Sequence, residues 1–133
     1  MSIRNLDSLF DPQSVAVIGA SERPFSVGAT LWRNMHGSGF AGRVFPVNPK
    51  YDKLGGVRCY ARVADLPETP ELAVICTPPA TVVDLVRQLA KRGTKAAVVI
   101  SAGLSAAQKQ AMLEAARPTL LRILGSNCVG LLT

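Results

Sequence analysis

The sequence predicts an α/β domain, doubly wound about a mainly parallel sheet with helices on both faces, and three observations carry that expectation. Apolar β-type runs without alternation recur at 15–18, 72–76 and 96–100, as expected of strands buried on both faces of a parallel sheet. Helical periods fill the intervals, with Val27, Leu31 and Met35 in one and Val82, Leu85, Val86 and Leu89 in the next. Each apolar run also breaks into a turn of small or polar residues. Such alternation implies right-handed crossovers and a Rossmann-like architecture.

Residues 2–13 read as a lead-in, with Leu6, Leu9 and Phe10 at helical spacing and Asp11-Pro12 closing the turn, and they are expected to pack on the sheet edge. The first strand spans 14–18 and breaks at Gly19. A helix over 26–36 follows, capped by Ser26 and stopped by the glycines after His36. The second strand, 43–47, runs straight into Asn48-Pro49-Lys50-Tyr51. After Gly55-Gly56 come a short strand at 57–60 and a brief helical turn at 63–67. The strand at 72–76 ends in Thr77-Pro78-Pro79. A proline suits the first helical position because its missing N–H would be unpaired there, and the helix runs on to Gly93. The strand at 96–100 ends in Ser101-Ala-Gly103. Ser105 and Gln108 then form a capping-box pattern for a helix that stops near Pro118, and a last strand over 121–124 leads into Gly125-Ser-Asn127-Cys128.

At 133 residues the chain is expected to be one domain, 1–133, long enough to bury a core without disulfides or metal. Hydrophobic residues make up 48% and charged residues 18%, the balance of a globular protein. No apolar run approaches the roughly eighteen residues needed to cross a bilayer, and the N-terminus lacks a signal peptide's apolar centre, so no membrane partner and a cytoplasmic location are expected. The net charge of +6 admits an anionic partner. Nucleic acid is not expected, since the basic residues are dispersed and aromatics reach only 5%, too few for a stacking platform. Three cysteines, Cys59, Cys76 and Cys128, lack metal-ligand spacing and read as reduced, partly buried thiols. The single histidine, His36, stands at a helix end and carries no catalytic role.

In a doubly wound sheet, ligands bind at the carboxyl ends of the strands. That rule gathers Gly19-Ala20-Ser21, Asn48-Pro49-Lys50, Cys76-Thr77-Pro78, Ser101-Ala-Gly103 and Gly125-Ser-Asn127 onto one rim. The turn from Gly19 to Ser26-Val27-Gly28 joins a strand to a helix N-terminus, where unpaired N–H groups and roughly half a positive charge favour an anion. It is not the dinucleotide fingerprint G-x-G-x-x-G, and a plain βα turn remains an alternative. Where an NAD site carries an acid after the second strand, this chain has Asn48 and Lys50, which favours a phosphorylated ribose. A surface turn that happens to contain lysine remains open, as does an NADP-binding oxidoreductase domain.

Taken in order, VAVIGAS with Ser26-Val27-Gly28, VNPK ending at Lys50, LAVICTP ending at Pro78, AVVISAG ending at Gly103 and LGSNCVG ending at Gly130 resemble the CoA-binding domain of NDP-forming acyl-CoA synthetases, the succinyl-CoA synthetase α and ADP-forming acetyl-CoA synthetase superfamily. The opening residues 3–10 are also similar to members joined to a GNAT-type acetyltransferase. The resemblance implies the N-terminal domain of a longer synthetase or related acetyltransferase, a module that binds CoA or acyl-CoA and presents its thiol, without catalysis of its own. Gly19, Ala20, Ser21, Ser26, Val27 and Gly28 would meet the phosphates, and Asn48, Pro49 and Lys50 would lie toward the adenosine end. Thr77 and Pro78 would line the nucleotide pocket, while Ser101, Gly103, Asn127 and Cys128 would flank the pantetheine arm and thiol. The family's last loop usually reads Gly-Pro-Asn, whereas Ser126 stands here in place of proline. Phosphohistidine and ATP-grasp domains, in cis or in trans, would be the partners. A free-standing CoA-binding regulatory protein is the other reading within the family.

Overall fold

The computed structural model describes residues 12–37, 42–101 and 103–124. The lead-in, the glycines at 37–39 as a helix stop and the loop holding Asn127 and Cys128 fall wholly or partly outside these residues. Five parallel strands form the main sheet: β1 (Ser14–Ile18), β2 (Arg43–Val47), β5 (Leu72–Ile75), β6 (Ala96–Val99) and β7 (Arg122–Leu124), in the order β2-β1-β5-β6-β7. Among the described residues the order reverses between β1 and β5. This switch leaves their carboxyl ends as the natural crevice of the fold.

The continuous apolar runs split by the period of the strand into two cores. Ala16, Ile18, Ala73, Ile75, Ala97 and Val99 face one side, under α2 (Pro79–Arg92) and α3 (Ala106–Ala116), which supply Val82, Val86, Leu89, Met112 and Ala116. Val15, Val17, Leu72, Val74, Ala96 and Val98 face the other, against Trp32 of α1 (Val27–Gly37). Helices on both faces explain why β1, β5 and β6 are buried at every position, while the edge strands β2 and β7 are partly exposed.

The helix termini follow the sequence signals. Ser105 Oγ accepts from the Gln108 N–H at 3.1 Å and Gln108 Oε1 accepts from the Ser105 N–H at 2.8 Å, a complete capping box. Gly93 closes α2 in the left-handed region, its N–H donating to the carbonyls of Leu89 and Ala90. The strand expected at 57–60 is shorter. Residues β4 (Val57–Arg58) pair antiparallel with β3 (Lys53–Leu54) across Gly55-Gly56, both at positive φ as a two-residue hairpin loop demands. Tyr60 instead forms a single bridge to Val47. The hairpin sends Leu54 fully into the second core.

Leu89 is fully buried whereas Leu113 is 49% exposed. Leu89→Ala should therefore cost about 3 kcal/mol in urea denaturation and Leu113→Ala under about 1. Comparable losses at the two positions would contradict this assignment of the core.

Candidate functional site

The rim at the carboxyl ends of the strands begins with two glycines in contact. Gly19 has φ +99°, a conformation closed to most side chains, and its N–H donates to the Val47 carbonyl at 2.8 Å. A Cβ there would lie 3.0 Å from Cys76 Sγ and 3.2 Å from Thr77 Cγ2. Gly28, in the first turn of α1, rests on the Gly19 carbonyl so closely that any Cβ would overlap that oxygen. The start of the helix is thus pressed onto the end of β1.

Ser26 caps this helix. Its hydroxyl accepts the Ala29 N–H at 3.1 Å and donates to the Arg23 carbonyl at 2.8 Å, so its proton is already spent within the loop. Ser21 differs. Its Oγ accepts the Arg23 N–H at 2.9 Å and lies 3.2 Å from the Tyr51 hydroxyl. A single hydrogen bond between two hydroxyls uses one proton, so whichever donates, the pair retains one O–H to offer a ligand. Tyr51 was not singled out by sequence reasoning. Its place beside Lys50 gave no signal, because the pairing depends on two loops 30 residues apart.

Asn48 staples those loops together. Its Nδ2 donates to the Ala20 carbonyl at 2.9 Å while its Oδ1 accepts the Lys50 N–H at 2.9 Å. The amide is thereby anchored at both ends. Ala20 lies behind the rim, wholly buried, whereas Pro49 and Lys50 are exposed and Lys50 makes no ion pair among the described residues. Glu22 turns its carboxylate to the hairpin, accepting the Gly55 N–H at 3.2 Å.

The β5 and β6 loops are joined in the same way. Ser101, buried, donates its hydroxyl to the Thr77 carbonyl. Thr81 Oγ1 donates to the Pro78 carbonyl at 2.6 Å, which makes Thr77 the donor in the 2.6 Å pair between the two threonine hydroxyls. Pro78 and Gly103 are exposed, and Val27 is 54% exposed at the helix start. The structure therefore brings together four of the five expected loops. Asn127 and Cys128, on the fifth, lie outside the described residues.

Among the described residues, burial holds the cysteine thiols near this rim protonated. Burial pushes the Cys76 thiol up to about 11 from 9.0, and it donates to the Ile18 carbonyl at 3.2 Å. Burial also raises the pKa of Cys59, partly offset by a hydrogen bond with the Asn48 backbone, with nearby Asp52 raising it further. Among the described residues no cluster of three His, Cys, Asp or Glu could hold a metal ion, and no helix is long and apolar enough to cross a membrane. At the opposite end of the sheet a cavity of about 290 Å³ is lined by Gln13, Arg43, Glu68, Glu71 and Lys95. Arg43 is paired with Glu68 there at 2.8 Å, and Glu71 accepts the Gln13 N–H.

Residues 13–133 match a family described as the CoA binding domain. The chain belongs to that family. A trans-feruloyl-CoA synthase of an unknown prokaryotic organism is 44% identical across 97% of this CoA-binding domain, which spans 19% of that protein. An ADP-forming acetate–CoA ligase of Archaeoglobus fulgidus is 36% identical across 98% of the domain, which spans 20% of the ligase. Among solved structures, the apo form of acetyl-coenzyme A synthetase 1 from Ca. Korarchaeum cryptofilum superimposes with a TM-score of 0.86 at 36% identity, covering 92% of the domain and 28% of that chain. The CoA-binding domain is thus homologous to a part of ADP-forming acyl-CoA synthetases, and it spans about a fifth of the curated relatives it matches.

Gly28→Ala should destabilise the domain by about 3 kcal/mol or more in urea denaturation, because the clash is with backbone and the helix must shift. A loss below about 1 kcal/mol would show that the helix start moves freely. Cys76 ionises later when folded, so at pH 8 its alkylation by iodoacetamide should be about a hundredfold slower than in urea, read by peptide mass spectrometry. Equal rates in the two conditions would contradict the burial of this thiol.

Proposed function

We propose that this CoA-binding domain takes CoA or acyl-CoA across the carboxyl ends of β1, β2, β5 and β6, as one module of a longer ADP-forming acyl-CoA ligase. The observation that carries the reading is the Gly19–Gly28 contact. It brings the helix dipole, the first-turn N–H groups that the Ser26 cap does not take and the spare hydroxyl of the Ser21–Tyr51 pair to one point. That combination suits a diphosphate. Lys50, exposed and unpaired among the described residues, would hold the ribose phosphate at the adenosine end. Thr77 and Pro78 would line the nucleotide pocket, while Ser101 and Gly103, with Asn127 and Cys128, would flank the pantetheine arm.

The domain's own contribution is to bind and orient. Burial holds the Cys59 and Cys76 thiols protonated, so the CoA thiol would be presented to chemistry supplied elsewhere. Phosphohistidine and ATP-grasp domains, in cis or in trans, are the partners this reading calls for. The ligase assignment is supported by relatives named as feruloyl-, acetate- and 4-hydroxybutyrate–CoA synthases or ligases, of which this chain covers less than a third.

Calorimetric titration at fixed salt with CoA, dephospho-CoA, NADP and NAD tests the proposal. CoA should bind, with NAD and NADP much weaker. Lys50→Glu should weaken CoA about tenfold while changing dephospho-CoA by less than about twofold, since only CoA carries the ribose phosphate. Equal losses would remove the Lys50 assignment, and preferential NADP binding would overturn the CoA reading.

A further inference from the structure

The loop between Ser21 and Ser26 holds an aromatic side chain where neither backbone nor solvent favours one. Ser26 N–H donates to the Arg23 carbonyl at 3.2 Å, closing a four-residue turn with Pro24 and Phe25 at its centre. Phe25 has φ +64°, and proline followed by a left-handed residue is a turn that ordinarily takes glycine at the second place. A phenylalanine there is disfavoured. Nor is it compensated by packing, since its accessibility is 104% of the reference value. The next residue but one, Val27, is also 54% exposed. Both stand beside the capped start of α1, at the point proposed above for the diphosphate.

Exposed apolar residues scattered singly are ordinary, but an aromatic ring combined with left-handed backbone on a ligand rim is not accounted for by surface composition. We infer that Phe25 is a contact residue of this site, its ring packing on the organic part of a CoA-type ligand that flanks the diphosphate. The inference rests on the CoA reading. The organic part could be the adenosine or the pantetheine arm, both of which adjoin the diphosphate and offer planar or apolar surface. Stacking on adenine and packing on the arm differ in which ligand fragment feels the ring.

Phe25→Gly and Phe25→Tyr, each in the 133-residue chain, separate these roles. Calorimetry with CoA, adenosine 3′,5′-bisphosphate and 4′-phosphopantetheine is paired with thermal denaturation of the unliganded protein. Phe25→Gly should weaken CoA about five- to thirtyfold without lowering the melting temperature, because the ring supports nothing in the unliganded fold. Phe25→Tyr should restore affinity to within about twofold, as its ring offers the same π-face. Matching loss for the bisphosphate alone assigns the ring to adenosine, and for phosphopantetheine alone to the arm. Unchanged CoA affinity in Phe25→Gly, with the wild type binding CoA, overturns the Phe25 assignment and leaves the CoA reading standing. A wild type that does not bind CoA removes both. A lowered melting temperature that Phe25→Tyr repairs, without a change in affinity, would make the ring structural and also overturn it.

Discussion

The backbone contact between Gly19 and Gly28 sets where everything else on the rim can be. A helix that follows a strand in a doubly wound fold must cross back over the sheet, and how near its first turn comes to the strand end depends on side-chain bulk at the crossing. With hydrogen in place of Cβ at both residues, the helix start rests on the carbonyl oxygen at the end of β1. The dipole then acts at the sheet edge instead of a few ångströms away, and its field falls off within about one turn.

Side-chain bonds then lock the neighbouring loops to this fixed point. Asn48 ties the β2 loop to the Ala20 carbonyl, Ser21 meets Tyr51, and Ser101 ties the β6 loop to that of β5. Gly19 itself sits against Cys76 and Thr77, closing the series across the switch point between β1 and β5. The rim is preorganised in consequence, which would lower the ordering cost for a ligand bound there. Several residues beside it are given over to this task. Asn48 uses one N–H and one lone pair of its amide to staple the loops, and Ser26 spends its proton within its own turn.

The layers of the fold were legible because parallel strands buried on both faces leave unbroken apolar runs, and Leu72–Ile75 and Ala96–Val99 are such runs. The capping box at Ser105 and Gln108 was legible for the same local reason. The hairpin was only half visible. Gly55-Gly56 announces a tight loop, but two-residue strands at Lys53–Leu54 and Val57–Arg58 are too short to show a period. Gly28 was legible as a glycine at the start of a helix, though its contact with the Gly19 carbonyl emerges only when strand and helix are placed together. The Ser21–Tyr51 pair and the left-handed Phe25 depend on the tertiary path of two loops, and neither composition nor spacing encodes them.

The claim on which the functional reading stands is that ligand binds at this edge of the sheet and not at the polar cavity on the opposite one. Amide shift mapping by heteronuclear NMR, with CoA added to the isotopically labelled chain, tests it most directly. The reading predicts the largest shifts at Gly19–Ala29, Asn48–Tyr51 and Thr77, with Gln13, Glu71 and Lys95 unmoved. Shifts concentrated at Gln13, Glu71 and Lys95, with Gly19 and Gly28 silent, would contradict it.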